Sequence, residues 1–269
     1  MSDDRPIGVF DSGVGGLTVA RAVWELLPNE SLLYVGDGAH FPYGPRSVEE
    51  IRGYALAIAR YLIDRGVKLL VVACNSVEVT AIGDIAAAAD VPVLGVIGPG
   101  ARAALRTTRN GVIGVIGTDA TIRSDGYLRA IGSAVAVHQV ACPAFVEFVE
   151  RGDTSSAELR SVAAGYLAPL RGEGVDTVIL GCTHYPLLSG LLQLELGEDV
   201  VLVSSAEETA KDVYAQLVRG GAERAAEGPP HHEFLTTGDA EAFRELAELF
   251  LGREVARVAA VHIEAGATA

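Results

Sequence analysis

DTVILGCTHYP, residues 176–186, decides how the rest of the chain is read. Its apolar run Val178-Ile179-Leu180 stops at Gly181, and Cys182, Thr183 and His184 follow before Pro186. A continuous aliphatic run bounded by glycine predicts a fully buried strand of a parallel sheet. Cys182 then stands where the strand ends and the chain turns toward a helix, the edge at which open α/β sheets bind ligands. A thiol there, followed by a hydroxyl and an imidazole, is a candidate acid, base or nucleophile.

The pattern occurs a second time. Lys68-Leu69-Leu70-Val71-Val72-Ala73 runs into Cys74-Asn75-Ser76. Two strand ends that each present one thiol predict two similar α/β halves. If those halves face each other, so do the thiols, an arrangement that can take a proton from one side of a carbon and return one to the other. A free cysteine at a strand end is more often a small buried residue, but the duplication and the polar residues after each thiol favour chemistry. A nucleophilic hydrolase built on Cys182 and His184 is the competing enzyme, and it leaves Cys74 without a role. A binding protein that has lost its chemistry is the third reading.

The chain has 269 residues, enough for one large domain or two ordinary ones. Hydrophobic residues make up 49% and charged residues 21%, a globular mix. A net charge of −14 leaves no electrostatic footprint for nucleic acid or an anionic membrane. MSDDRP lacks the basic and apolar regions of a secretory signal, and no apolar run approaches the ~20 residues of a membrane span. Three cysteines without CxxC spacing argue against disulfides and a structural metal site. A cytoplasmic protein with reduced thiols and no bound metal is expected.

Outward from the two cysteines, strands alternate with helices. Ile7–Phe10 leads into Asp11-Ser12-Gly13-Val14-Gly15-Gly16 and a helix from Leu17. Strand, glycine-rich turn and helix form the layout of an anion-binding loop. The spacing fits neither a dinucleotide fingerprint nor a P-loop, so a carboxylate ligand fits better than a nucleotide. Asp11 as a cap or turn residue remains open. Strand 32–35 leads to Asp37 and a loop in which Tyr43-Gly44 offers a hydroxyl and bare backbone, or merely a tight turn. Ser47 and Glu50 form a capping-box pattern for a helix to about Arg65, with Gly66 at its end. A fourth strand is expected over Val91–Ile97, ended by Gly98-Pro99-Gly100, where the chain crosses to a second domain. Strand 111–116 ends at Gly117-Thr118-Asp119-Ala120-Thr121, strand 135–140 at Cys142, and a helix carries Phe145 to Glu150. Later strands are expected at 200–203, 233–237 and 257–262. The fold expected is α/β, with two parallel-sheet domains related by a pseudo-twofold axis and the active site between them. Their bounds are 1–98 plus 208–269, and 99–207.

DSGVGGLTV (11–19), PYG (42–44), ACNS (73–76) and LGCTHYPLL (180–188) together resemble the glutamate racemases of the aspartate/glutamate racemase superfamily. VGD (35–37), GVIGT (114–118) and VSSAEETA (203–210) fit as well. The resemblance implies interconversion of L- and D-glutamate without a cofactor, D-glutamate for peptidoglycan, and a homodimer. It makes Cys74 the base for D-glutamate and Cys182 the base for L-glutamate. Asp11 becomes the partner of Cys74, His184 the partner of Cys182, and Glu150 a further carboxylate, with Asp37 a weaker candidate of that kind. The substrate contacts it implies are Asp11, Ser12, Tyr43, Gly44, Asn75, Ser76, Thr118, Thr121, Thr183 and His184. A racemase for aspartate or another small acid is the near alternative. Ser76 stands where the family carries Thr, and Val77-Glu78 replace two small residues. Glu78 is expected to point to solvent; facing the site, it would raise the Cys74 pKa. Cys142 matches no functional position and is read as structural.

Overall fold

The protein is described by a computed structural model that covers residues 2–252, 255 and 257–264. Residue 1 and residues 265–269, the outer ends of the expected first domain, lie outside the described residues. The chain divides into two compact units, Met1–Val96 with Ala206–Ala269, and Ile97–Ser205.

The first unit opens with β1 (Ile7–Asp11), α1 (Leu17–Leu26), β2 (Leu32–Gly36), α2 (Val48–Asp64), β3 (Leu69–Val72), α3 (Asn75–Ala88) and β4 (Val93–Leu94). The second carries α4 (Ile97–Thr107), β5 (Val112–Gly117), α5 (Asp119–Arg123), α6 (Gly126–Ile131), β6 (Ala136–Ala141), α7 (Ala144–Glu150), α8 (Ala157–Gly172) and β7 (Thr177–Gly181). A 3-10 turn at Tyr185–Leu188, α9 (Ser189–Leu196) and β8 (Val201–Ser204) complete it. The chain then adds α10 (Ala206–Gly220), β9 (His232–Thr236), α11 (Ala240–Leu251) and β10 (Val258–Ala260) to the first unit.

Every strand pairing among the described residues is parallel. The first sheet runs β10-β9-β2-β1-β3-β4 and the second β6-β5-β7-β8. Stripped of β9 and β10, the first order is the second repeated. In each, the first strand of the unit lies between its second and third, so β3 and β7 occupy equivalent places. The duplication read from the two cysteines therefore exists as topology. Strands β1, β2, β3 and β7 are buried along their whole length, which is why their sequences are unbroken aliphatic runs. Helices cover the sheets: α1 packs on α10, and α2 on α3. Ser47 and Glu50 form the expected capping box at the start of α2. Gly66, past its end, has φ +76°, the left-handed turn glycine permits.

Two local expectations are corrected, and one element is new. The fourth strand is two residues long rather than seven, for a reason given below. Gly98-Pro99-Gly100 does not end a strand but forms the first turn of α4, where proline is tolerated because those N–H groups have no helical partner. The short helix α6 follows Asp125 in a left-handed conformation (φ 54°) and was not legible in the sequence.

Candidate active site

The constellations form at the carboxyl ends of the first and third strands of each unit, the pair that flanks the switch point of a doubly wound sheet. In the first unit, β1 ends at Asp11 and β3 leads through Ala73 to Cys74. The Ala73 N–H donates to Phe10 C=O at 2.9 Å, so the two ends run side by side. Asp11 is 1% exposed, and Ser12 and Cys74 are each 6% exposed. Ser12 donates to Asp11 Oδ1 through its backbone N–H (2.5 Å) and its hydroxyl (3.0 Å). Cys74 Sγ lies 3.6 Å from Ser12 Oγ as its donor. Thiol, hydroxyl and carboxylate thus form one hydrogen-bonded chain. Burial pushes the Cys74 thiol well above its ordinary value, and the Asp11 charge adds to it. N–H groups of Val77 and Ser12 and the Ser12 hydroxyl pull the other way without prevailing.

The glycine-rich turn after Asp11 serves close packing. A Cβ on Gly16 would meet Asp11 Cβ at 2.6 Å and Tyr34 Oη at 2.8 Å. Tyr34 Oη in turn donates to Gly13 C=O at 2.8 Å, fixing the loop over the strand ends. Asn75 and Ser76, each 3% exposed, follow Cys74 on the first turn of α3.

Tyr43 is buried, and its hydroxyl donates to Asp37 Oδ2 at 2.5 Å. Asp37 also accepts from Thr237 Oγ1 (2.5 Å) and meets His40 Nδ1 at 2.9 Å. The expected offer of the Tyr43 hydroxyl to a ligand is therefore modified. Its proton is committed to Asp37, and burial together with that charge drives the phenol pKa upward. Asp37 is a hub that holds the 40–43 loop to the segment after β9. Thr237 and His40 carried no signal in the sequence, because only the fold brings residue 237 beside residue 37. Gly44, partly buried, continues that loop.

In the second unit, β7 delivers Cys182, and Thr183 and His184 form the turn that follows. Cys182 Sγ lies 3.8 Å from His184 Nδ1, and His184 Nε2 lies 2.6 Å from Glu150 Oε1 at the end of α7. Burial opposes charge on this imidazole, but the Cys182 sulfur and the Glu150 carboxylate outweigh it and raise His184 to about 10. Thr118 caps α5 through its hydroxyl, accepting from the Thr121 N–H (3.3 Å), and Thr118 Oγ1 donates to Thr121 Oγ1 (3.1 Å). Thr183 is buried beside Cys182. Cys142, fully buried, has its thiol pushed up chiefly by burial, which suits an inert packing residue.

Glu78 departs from expectation. It does not point to solvent but turns inward, where its Oε2 accepts from the backbone N–H of Val96. Among the described residues no His, Cys, Asp and Glu cluster is placed to hold a metal ion. No helix among them is long and apolar enough to cross a membrane.

The profile of the Asp/Glu/Hydantoin racemase family matches residues 17–213. The chain belongs to that family. This racemase-family chain is 57% identical over 256 residues to a glutamate racemase of Parafrankia sp. (strain EAN1pec), covering 94% of this chain and 93% of that one. Among solved structures, a glutamate racemase isoform from Bacillus anthracis superposes with a TM-score of 0.91 at 44% identity, covering 96% of this chain and 97% of the other. A Francisella tularensis glutamate racemase in complex with D-glutamate gives 0.91 at 34%, covering 99% and 100%. The resemblance read from the motifs is borne out, as is the fold of two parallel-sheet α/β domains.

Proposed function

We propose that this protein is a cofactor-independent glutamate racemase that exchanges the α-proton between two thiols. The observation that carries the reading is the pair of constellations at equivalent strand ends: a thiol held beside a carboxylate at Cys74, and a thiol held beside an imidazolium at Cys182. An ordinary thiol, with a pKa of about 8.5, is mostly protonated at neutral pH. Two-base racemisation needs one thiolate and one thiol at a time, exchanged between the two directions.

With L-glutamate bound, the Cys182 thiolate takes the α-proton and Cys74 gives its thiol proton to the opposite face. The products are D-glutamate, a Cys182 thiol and a Cys74 thiolate. From D-glutamate the roles reverse. His184, held by Glu150, compensates charge on Cys182. The Ser12 hydroxyl links Cys74 to Asp11 and can pass the proton along that chain. Carbanion charge is met by fixed donors, for which Ser12, Asn75, Ser76, Thr118, Thr121, Thr183 and the Tyr43-Gly44 backbone are the candidates. Supply of D-glutamate for peptidoglycan, a homodimer and a cytoplasmic location belong to the same proposal.

A second reading has one observation in its favour. Cys182, His184 and Glu150 also form the nucleophile, base and orienting carboxylate of a hydrolase. It gives Cys74 no task and should survive Cys74→Ala. The deciding experiment is circular dichroism of L-glutamate with the protein in D2O, without pyridoxal phosphate, together with NMR of the α-proton. Loss of optical signal with deuterium entering the α-position, abolished by Cys74→Ala and by Cys182→Ala, supports the proposal. Exchange of aspartate instead would change the substrate and keep the mechanism. Exchange of neither would end the racemase reading.

A further inference from the structure

Helix α3 starts without the oxygen cap found on α2, α5, α8 and α11. Ser47, Ser156, Thr118 and Asp239 accept from the first-turn N–H groups of α2, α8, α5 and α11. The N-cap of α3 is Cys74, and a thiol is a weak acceptor. An oxygen cap satisfies first-turn N–H groups that a thiol holds only weakly. The turn that carries the candidate base has another support.

Glu78 lies one turn beyond Cys74, and its backbone N–H donates to Cys74 C=O at 2.9 Å. Its side chain reaches back to the N–H of Val96 at 2.5 Å. Strands β3 and β4 pair only at Leu70↔Val93 and Val71↔Leu94. Carried further, a parallel register would aim the Val96 N–H at the Val72 carbonyl. The Glu78 carboxylate takes that donor instead, so the chain leaves the sheet at Gly95 and the fourth strand ends after two residues. Gly95 has to be glycine for this to happen, because a Cβ there would lie 2.3 Å from Glu78 Cδ. Val96 is also the last residue before the chain passes into the second unit.

We propose that Glu78 is a positioning residue for Cys74: by holding the Val96 N–H it fixes the first turn of α3, and with it the thiol, Asn75 and Ser76. The kinetic arm of the test rests on the racemase reading, whereas the chemical arm does not. In the full-length protein, iodoacetamide alkylation is followed separately at Cys74 and Cys182 by peptide mass spectrometry, for wild type, Glu78→Ala and Glu78→Gln. Glu78→Ala should change the Cys74 rate roughly threefold or more and leave Cys182 unchanged, since thiol reactivity follows the local surroundings. It should also lower kcat for glutamate roughly tenfold and raise KM by less, because the thiol moves together with Asn75 and Ser76 while the other candidate donors stay in place. Glu78→Gln, whose amide oxygen still accepts from Val96, should restore both. A Gly95→Ala change should be tolerated better on the Glu78→Ala background than on wild type. An unchanged Cys74 rate in Glu78→Ala, or a Glu78→Gln variant no better than Glu78→Ala, overturns the proposal. If Glu78→Ala does not fold, Glu78→Asp, too short to reach Val96, is read by the same criteria. A wild type without racemase activity removes the kinetic arm alone, and alkylation still decides.

Discussion

At the residue scale the two thiols differ in what surrounds them. Cys74 faces the Asp11 carboxylate through Ser12, and Cys182 faces an imidazole sustained by Glu150. At neutral pH Cys182 should therefore alkylate faster than Cys74, and Glu150→Gln should slow Cys182 by removing the charge that supports the imidazolium. Mass-resolved alkylation at pH 7 checks both. His184 is raised from 6.5 to about 10. A raised pKa means the folded state holds the proton more tightly. The resulting stability is fully present below the unfolded value and is lost as pH climbs toward about 10. Urea midpoints of the wild type should fall between pH 7 and pH 10, and those of His184→Asn should fall less.

At the element scale, the strand ends impose requirements their own sequences do not advertise. Gly16→Ala should cost both activity and stability, because its Cβ would strike Asp11 and Tyr34. Gly53 on α2 has nothing within 4 Å of an added Cβ, so Gly53→Ala should stabilise by about 0.5–1 kcal/mol. Thermal melts of the two variants should move in opposite directions. At the other end of β7, Asp176 accepts from Thr108 Oγ1 (2.7 Å), the Arg109 N–H (2.7 Å), the Asn110 N–H (2.8 Å) and Thr177 Oγ1 (2.9 Å). Burial raises its pKa, but these bonds together lower it to about 2. A lowered carboxylate pKa gives stability that is present above the unfolded value and lost as pH falls toward about 2. Asp176→Asn should melt lower than wild type at pH 7, by on the order of 1–2 kcal/mol, and the gap should narrow in acid titrations toward pH 2.

At the scale of the molecule, one buried ion pair gathers distant parts of the first unit. Lys68 Nζ meets Glu30 at 2.6 Å and donates to the carbonyls of Asp3 (2.7 Å) and Ala222 (2.8 Å). Glu30 also accepts from the Arg224 N–H at 2.8 Å. The N-terminal segment, the entry to β3 and the return connection after α10 are thereby tied at one point. Lys68→Met leaves the Glu30 charge buried, and it should lower the urea unfolding free energy by about 3–5 kcal/mol. A loss below about 1 kcal/mol would mean that water reaches Glu30 in the variant.

The sequence by itself determined the α/β class, the parallel sheets and the repeated thiol-bearing strand ends, because buried parallel strands must be continuous aliphatic runs and catalysis at their ends needs specific residue types. It also pointed to Asp11, His184 and Glu150, since their motifs belong to one family. Only the tertiary structure decided which groups touch. Asp37 turned out to hold Tyr43, with a partner two hundred residues later, and Glu78 turned inward to end a strand. Hydrogen bonds between residues far apart in the chain depend on where two elements are brought by packing, and no local pattern of residues records that. The same holds for the α4 start at Ile97, where the glycines and proline at 98–100 lie inside the first turn of a helix rather than at a strand stop.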